Sequence, residues 1–133
     1  MPHQSYFKHD LPSRFETKLA KQHAAEAQER EVYAAVTQRD QRRCRCCGDY
    51  ASAQALGTLK QAHHHHIVYR SAGGPTSSAN LCLLCARCHS DEHQHRLKVE
   101  GDANCALTFW KRQDNGNWYV WKQEVAPHVT ARD

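Results

Sequence analysis

The chain has 133 residues, a mass of 15.2 kDa and a net charge of +4 at pH 7. This length suits one ordinary domain with an arm at either end, and it excludes two large domains. Leu, Ile, Val and Phe together supply only 20 residues. That number excludes a large apolar core, while the small net charge excludes a chain held open by self-repulsion.

Cysteine and histidine are the candidates for what holds such a chain together. There are 7 cysteines and 11 histidines, and six of each fall between residues 44 and 93. This density predicts metal sites that stabilise the fold. A disulfide framework is the alternative, but the number of cysteines is odd and the first residues do not resemble a secretory signal. No apolar run approaches the roughly 18 residues of a membrane span. We expect a cytoplasmic protein without a membrane partner.

The first predicted element is helical. Ser13 followed by Glu16 is a capping pair, and residues 13–43 contain no Gly or Pro. The pattern predicts one long helix or two shorter ones. Its acidic and basic residues nearly cancel, which favours a solvated helix lying over the core rather than an arm that grips DNA.

The composition then changes towards short elements around metal ligands. Residues 44–48 resemble a metal-binding turn, and residues 59–68 are typical of a strand. Residues 70–79 are dense in turn formers and predict a loop. Residues 80–84 are apolar and predict a second strand, while residues 86–99 contain no helix breaker and predict a helix.

A β-hairpin is predicted near the C-terminus. Residues 106–112 and 118–125 are rich in aromatic and β-branched residues and flank Asn115-Gly116, a pair typical of tight hairpin turns. The Trp and Tyr side chains could stack on bases, but cross-strand packing is the favoured interpretation.

Two C-x-x-C pairs predict a structural zinc site. Two thiolates three positions apart on a tight turn point at one ion, and two such turns complete a tetrahedral site. Cys46 could replace Cys44 if the first turn is shifted, and otherwise Cys46, Cys82 and Cys105 are expected to be buried small residues. The predicted ligands are Cys44, Cys47, Cys85 and Cys88.

A second cluster is rich in histidine. His65 and His66 end a strand-like run, and His89 and His93 lie one helical turn apart, so that they project in the same direction. Three neutral imidazoles make a metal site with coordination positions left open for water and substrate. The pattern therefore predicts a catalytic centre.

Three blocks in this region resemble a known family. They are His65-His66-Ile67-Val68-Tyr69-Arg70-Ser71-Ala72-Gly73-Gly74, then Asn80-Leu81, then Leu84-Cys85-Ala86-Arg87-Cys88-His89 followed by His93. In this order and at these separations they resemble the HNH endonuclease motif in its four-cysteine, zinc-binding version. The resemblance covers residues 44 to about 93.

The resemblance implies the ββα-metal (HNH, His-Me finger) fold and a division of roles within it. His66 is implied as the general base that activates water, with Asn80 bracing the loop and orienting that base. The implied ligands of the catalytic ion are His65, His89 and His93. The implied cofactors are structural Zn²⁺ and one catalytic divalent metal, Mg²⁺, Mn²⁺, Ni²⁺ or Zn²⁺.

Two arginines lie close in sequence to these residues. Arg70 and Arg87 could bind phosphates of DNA in a bidentate manner, with a structural salt bridge or a solvated side chain as the alternative. The pI of about 8.7 is compatible with a polyanion partner.

The expected fold class is α+β, a ββα-metal core with zinc knuckles, an N-terminal helix and a C-terminal β-hairpin. The expected domains are a helical arm (1–43), the HNH nuclease core with its zinc site (44–100) and the hairpin extension (101–133). The expected function is metal-dependent endonuclease hydrolysis of phosphodiester bonds in double-stranded DNA. The alternative is a non-catalytic zinc-stabilised module that binds nucleic acid without cutting it.

Overall fold

A computed structural model describes residues 13–125. Residues 1–12 of the predicted arm and residues 126–133 of the predicted extension lie outside the described residues. Within the described range the chain is of mixed α/β class, with two α-helices, one two-stranded sheet and one three-stranded sheet. The elements are α1 (Arg14–Arg39), β1 (Ala62–His66), β2 (Leu81–Cys85), α2 (Ala86–His93), β3 (Leu97–Asp102), β4 (Ala106–Arg112) and β5 (Trp118–Gln123).

Helix α1 begins with the predicted capping pair. The Glu16 amide donates to Ser13 Oγ at 3.1 Å, and the Ser13 amide donates to the Glu16 carboxylate at 2.9 Å. The helix is continuous over 26 residues, so the single long helix is the correct alternative. Val36 is its one buried residue, as expected of a polar, solvated helix. Contacts divide the described part of the chain into two compact units, with the boundary between Glu31 and Val32.

Strands β1 and β2 and helix α2 follow one another around the predicted site. The two strands pair antiparallel, with His65 opposite Cys82. The predicted strand over 59–68 is confirmed only for its central five residues, and the loop predicted over 70–79 contains two short 3₁₀ turns, Arg70–Ala72 and Ser78–Asn80. Strand β2 is buried at every position, which explains its continuous apolar run. Helix α2 starts directly at the end of β2.

The helix predicted over residues 86–99 is wrong in its second half. Helix α2 ends at His93, and His95 adopts a φ of +58°, outside the helical region. The chain then forms β3, in which Leu97 and Val99 are buried at alternate positions. Strand β3 pairs with β4, and β4 with β5, all antiparallel. The predicted hairpin is thus confirmed, but it belongs to a sheet of three strands.

The core contains few aliphatic side chains and many cysteines. Phe109 and Leu107 of β4 are fully buried, as are Leu83 and Leu84 of β2. Five cysteines lie in the same cluster of buried residues: Cys44, Cys46, Cys82, Cys85 and Cys88. The sparse apolar core expected from the composition is therefore completed by thiols.

A buried ionic network connects distant parts of this core. The side chain of Asp40 is 1% exposed, and its Oδ1 accepts a bond of 2.9 Å from Arg45 Nη1. Its Oδ2 accepts from the Leu83 amide at 2.9 Å. Arg45 also pairs with Glu124 at 2.5 Å. These bonds join the end of α1, the first cysteine pair, β2 and the end of β5.

All seven cysteines lie within the described residues, and all carry free thiols. This agrees with metal sites rather than with the disulfide alternative. No helix in the range 13–125 is both long enough and apolar enough to cross a membrane.

Candidate metal centres

The four predicted zinc ligands lie together. One Sγ atom from each of Cys44, Cys47, Cys85 and Cys88 falls within 4.8 Å of the others. Cys47 Sγ and Cys85 Sγ are 3.8 Å apart. Cys46 lies outside this group, so the arrangement favours Cys44 over Cys46 as a ligand. A metal ion such as zinc could be held here.

A tight turn places the thiols of Cys44 and Cys47 where both can bind one ion. The Gly48 amide donates to the Cys44 carbonyl at 2.8 Å, and the Cys47 amide points at Cys44 Sγ at 3.5 Å. Gly48 has a φ of +82°, a conformation that glycine adopts without a steric penalty. The second pair is placed by the junction of β2 and α2, since Cys85 ends the strand and Cys88 lies in the first turn of the helix.

Two of these thiols hold their protons more strongly than a free cysteine does. The hydrogen bond with Cys88, followed by burial, raises the pKa of Cys44 far above its usual range. Burial, with neighbouring thiols contributing, raises the pKa of Cys47 to about 11. Thiolates crowded in this way repel one another, and a divalent cation removes the repulsion. Four sulfur donors in one tetrahedral group are the typical zinc set.

The remaining cysteines differ in their surroundings. Cys46 and Cys82 are buried, as expected, whereas Cys105 is exposed, so its predicted burial is wrong. Cys105 lies in the turn between β3 and β4, and its amide donates to the Asp102 carbonyl at 2.9 Å.

Three histidines form a second group. One ring nitrogen from each of His65, His89 and His93 lies within 4.8 Å of the others. The Nε2 atoms of His89 and His93 are 3.0 Å apart. His65 is 3% exposed, and His63 stacks on the ring of His89 with centroids 4.5 Å apart. The alternating side chains of β1 and the helical repeat of α2 thus direct these three rings to one point, where a second metal could bind.

Burial favours neutral imidazoles in this group. It lowers the pKa of His65 to about 3, with the charges of His89 and His93 adding to the effect. Burial and the neighbouring His63 and His93 lower the pKa of His89 to about 4. A neutral imidazole has a lone pair available for a metal. The group is therefore suited to a divalent cation.

His66 lies beside this group on the same open groove. The groove has a volume of about 430 Å³ and is lined by His64, His65, His66, Tyr69, Arg70, Ser71, His89 and His93. His66 is half-buried, and its Nε2 lies 3.1 Å from Thr76 Oγ1. Arg70 Nη2 donates to the same hydroxyl at 3.1 Å. Thr76 thus connects His66 with Arg70.

Asn80 braces the loop that follows His66. Its Oδ1 accepts from the Val68 amide at 2.8 Å, and its Nδ2 donates to the carbonyls of Val68 and Pro75 at 3.0 and 2.9 Å. Asn80 is 8% exposed. Its side chain therefore joins the start of the loop, at Val68, to the later part of the loop, at Pro75.

Arg87 is placed differently from Arg70. It is exposed on the first turn of α2 and is absent from the lining of the histidine groove. Its backbone amide is 3.4 Å from the Leu59 carbonyl. The structure thus brings one of the two candidate arginines to the groove.

The sequence pattern did not single out two residues that contact the histidine group. The Tyr69 hydroxyl donates to Glu92 Oε1, and Glu92 is buried next to His65. Glu92 follows His89 by three positions, so helical spacing placed it on the same side of α2. This three-residue spacing was the feature of the sequence that could have identified Glu92 as a neighbour of the histidine group.

Comparison with known proteins agrees with the motif. The HNH endonuclease family model matches residues 44–95, a range that includes all four clustered cysteines and the three clustered histidines. The resemblance to that family is confirmed for this segment. A curated protein named anaredoxin, from Nostoc sp. (strain PCC 7120 / SAG 25.82 / UTEX 2576), is 35% identical over 40 residues. The aligned segment is 30% of this chain and 53% of anaredoxin, so the match spans about half of that relative's length. No solved structure matches the chain.

Proposed function

We propose that the chain is a metal-dependent endonuclease that hydrolyses phosphodiester bonds in double-stranded DNA. The observation that carries this proposal is the convergence of His65, His89 and His93 on one point of a groove that His66 also lines. The match of residues 44–95 to the HNH endonuclease family supports the reaction type. In this proposal β1, β2 and α2 are the ββα-metal core.

Several residues in the groove and next to it have a role in the proposed reaction. His66 removes a proton from the attacking water, which is work suited to an imidazole near neutral pH. Thr76 fixes the ring of His66, and Asn80 fixes the loop that follows it. Arg70 lies on the same groove and binds a phosphate of the DNA. Arg87, exposed on α2, is proposed to contact the DNA outside the groove.

The histidine group would hold the catalytic cation. A divalent ion bound by His65, His89 and His93 would act as a Lewis acid on the phosphoryl oxygens and the leaving oxygen. Zn²⁺ held by the four cysteines would have a structural role, since four thiolate ligands would leave no coordination position for water.

The test is cleavage of a supercoiled plasmid by the purified protein. Nicking or linearisation should disappear with EDTA, return with Mg²⁺, Mn²⁺, Ni²⁺ or Zn²⁺, and be lost in His66→Ala. His23→Ala, which removes an exposed histidine of α1, is the matched control and should cut normally. A His66→Ala protein that cuts at the wild-type rate would overturn the assignment of the base.

A non-catalytic DNA-binding module is the second candidate, and the three-stranded sheet favours it. Lys98 Nζ lies 5.0 and 5.1 Å from the ring centres of Trp110 and Trp118, and Lys111 Nζ lies 3.8 Å from that of Trp121. Paired cations and aromatic rings are suited to phosphates and bases. DNA that is retarded on a gel but uncut with every metal would favour this candidate.

We also propose a cytoplasmic location. Seven free thiols, five of them buried and one lying half-exposed in the cysteine cluster, suit a compartment that keeps cysteine reduced.

A further inference from the structure

Glu92 is a buried carboxylate that the proposed reaction does not use. It is 7% exposed and lies in the last turn of α2, where the helix dipole disfavours a negative charge. Buried carboxylates are rare unless they are paired. The energetics of α2 alone therefore do not explain why a carboxylate is buried at this position. Its partners must come from other elements of the fold.

The two oxygens of this carboxylate face different groups. Oε1 accepts a hydrogen bond from the Tyr69 hydroxyl. Oε2 is fully buried, has no hydrogen-bond partner in the described structure, and lies 3.6 Å from Nδ1 of His65. This separation is just longer than a hydrogen bond, so a small shift of either side chain would complete one.

The geometry also separates Glu92 from the cation position. The ligand atoms that meet within 4.8 Å come from His65, His89 and His93, and Glu92 is absent from that group. Nδ1 of His65 faces the carboxylate, so Nε2 is the nitrogen that remains available to a cation. Glu92 therefore lies on the Nδ1 side of His65, 3.6 Å away.

We propose that Glu92 is a positioning residue, which accepts a hydrogen bond from Nδ1–H of His65 and so keeps the lone pair on Nε2 aimed at the cation. Tyr69 holds the carboxylate in place through its other oxygen. The carboxylate would also offset part of the charge of a cation held by the three histidines. This inference rests on the proposed cation site of the histidine group.

The first experiment reads the tautomer of His65 without any catalytic cation. Protein dialysed to one zinc ion per chain is labelled with ¹⁵N, and long-range ¹H–¹⁵N spectra identify which ring nitrogen carries the proton. We expect the Nδ1–H tautomer in the wild-type protein. The Nε2–H tautomer there would overturn the proposal without any variant being needed.

The second experiment compares three variants by the same spectra and by calorimetric titration with Ni²⁺. Glu92→Leu removes the acceptor, so the Nδ1–H tautomer should be lost and the Kd for Ni²⁺ should rise roughly 10–100-fold, as for other partners of metal-binding histidines. Glu92→Gln retains an acceptor but removes the charge, so it should keep the tautomer and show an intermediate Kd. Asp91→Asn removes one charge at the adjacent position of α2 and should match the wild type. Unchanged tautomer and Kd in Glu92→Leu would overturn the proposal.

The two proposals fail in different ways. Wild-type protein that binds no Ni²⁺ at the histidines would remove the catalytic cation site, whereas the tautomer of His65 would still test its pairing with Glu92. Zinc content and circular dichroism of each variant establish that the fold is retained. If Glu92→Leu does not fold, the wild-type spectrum and Glu92→Gln still decide the outcome.

Discussion

The Nε2 atoms of His89 and His93 lie 3.0 Å apart on successive turns of α2, both close to the buried ring of His65. Two imidazole nitrogens this close share one proton or one cation. The helix therefore presents two of the three nitrogens, and the strand adds the third from His65.

Removing one ring of this pair should weaken cation binding. His93→Ala leaves two of three nitrogen donors, so the Kd for Ni²⁺ should rise at least about tenfold, as much as when a partner of a ligand is lost. His93 is exposed, so the fold should be retained. Calorimetry on zinc-loaded protein measures the effect, with His23→Ala as the control. Equal Kd values for the two variants would contradict the assignment of His93.

Loss of a clustered cysteine should unfold the domain. Cys88→Ser removes one of four zinc donors, and in a core this small zinc binding contributes directly to folding. We expect less than one zinc ion per chain and loss of the native circular dichroism spectrum. The matched control is Cys105→Ser, since Cys105 is exposed and outside the cluster. Native zinc content in Cys88→Ser would argue against the four-cysteine site.

Asp40 should be the most sensitive charged residue of the core. Asp40→Ala leaves Arg45, whose side chain is 11% exposed, short of a buried partner. Breaking such a buried pair costs about 3–5 kcal/mol of unfolding free energy. Urea denaturation measures the loss. Glu100→Gln breaks the exposed pair with Lys98 and should change stability by less than about 0.5 kcal/mol. Similar losses in both variants would show that burial of the Asp40 pair is not the cause.

Replacing Asn80 should lower both the stability of the protein and its cleavage rate. Asn80→Ala removes three bonds to the backbone of Val68 and Pro75, and each buried group left without a partner costs about 1–3 kcal/mol. Asn80→Asp keeps the acceptor for the Val68 amide but places carboxylate oxygen against a carbonyl. Both variants should lose stability in urea and cut more slowly, while Asn117→Ala, in the exposed hairpin turn, should do neither. A stable, fully active Asn80→Ala would remove Asn80 from the site.

The two glycines of the same loop should respond differently to alanine. A Cβ on Gly74 would lie 1.8 Å from the Val68 carbonyl oxygen, so the backbone of the loop must move. A Cβ on Gly73 meets nothing within 4 Å, and its φ of +86° costs an alanine only about 1–2 kcal/mol. Gly74→Ala should therefore lower the urea midpoint and the cleavage rate more than Gly73→Ala. The reverse order would contradict the loop geometry.

Features that depend on neighbours in sequence were predicted well. Ser13 and Glu16 form the capping pair, and Asn115-Gly116 joins two strands, because each depends on a few adjacent dihedral angles. The two C-x-x-C pairs and the His89/His93 pair converge because turn and helix geometry fix their directions. Strand β3 was missed because residues 94–99 have no helix breaker, and pairing with β4 outweighs their local preference.

The sequence by itself determined the start of α1 and the position of the hairpin, and it predicted the metal ligands, since spacing within a few residues carries that information. Only the tertiary structure decided which charges meet. Asp40 bonds the amide of Leu83, 43 positions away, and Arg45 pairs with Glu124, 79 positions away. The contact of Glu92 with Tyr69 and His65 joins α2 to β1 and its loop in the same way. Such pairs form because burial requires each charge to find a partner, and the fold rather than the local pattern determines which partner is near.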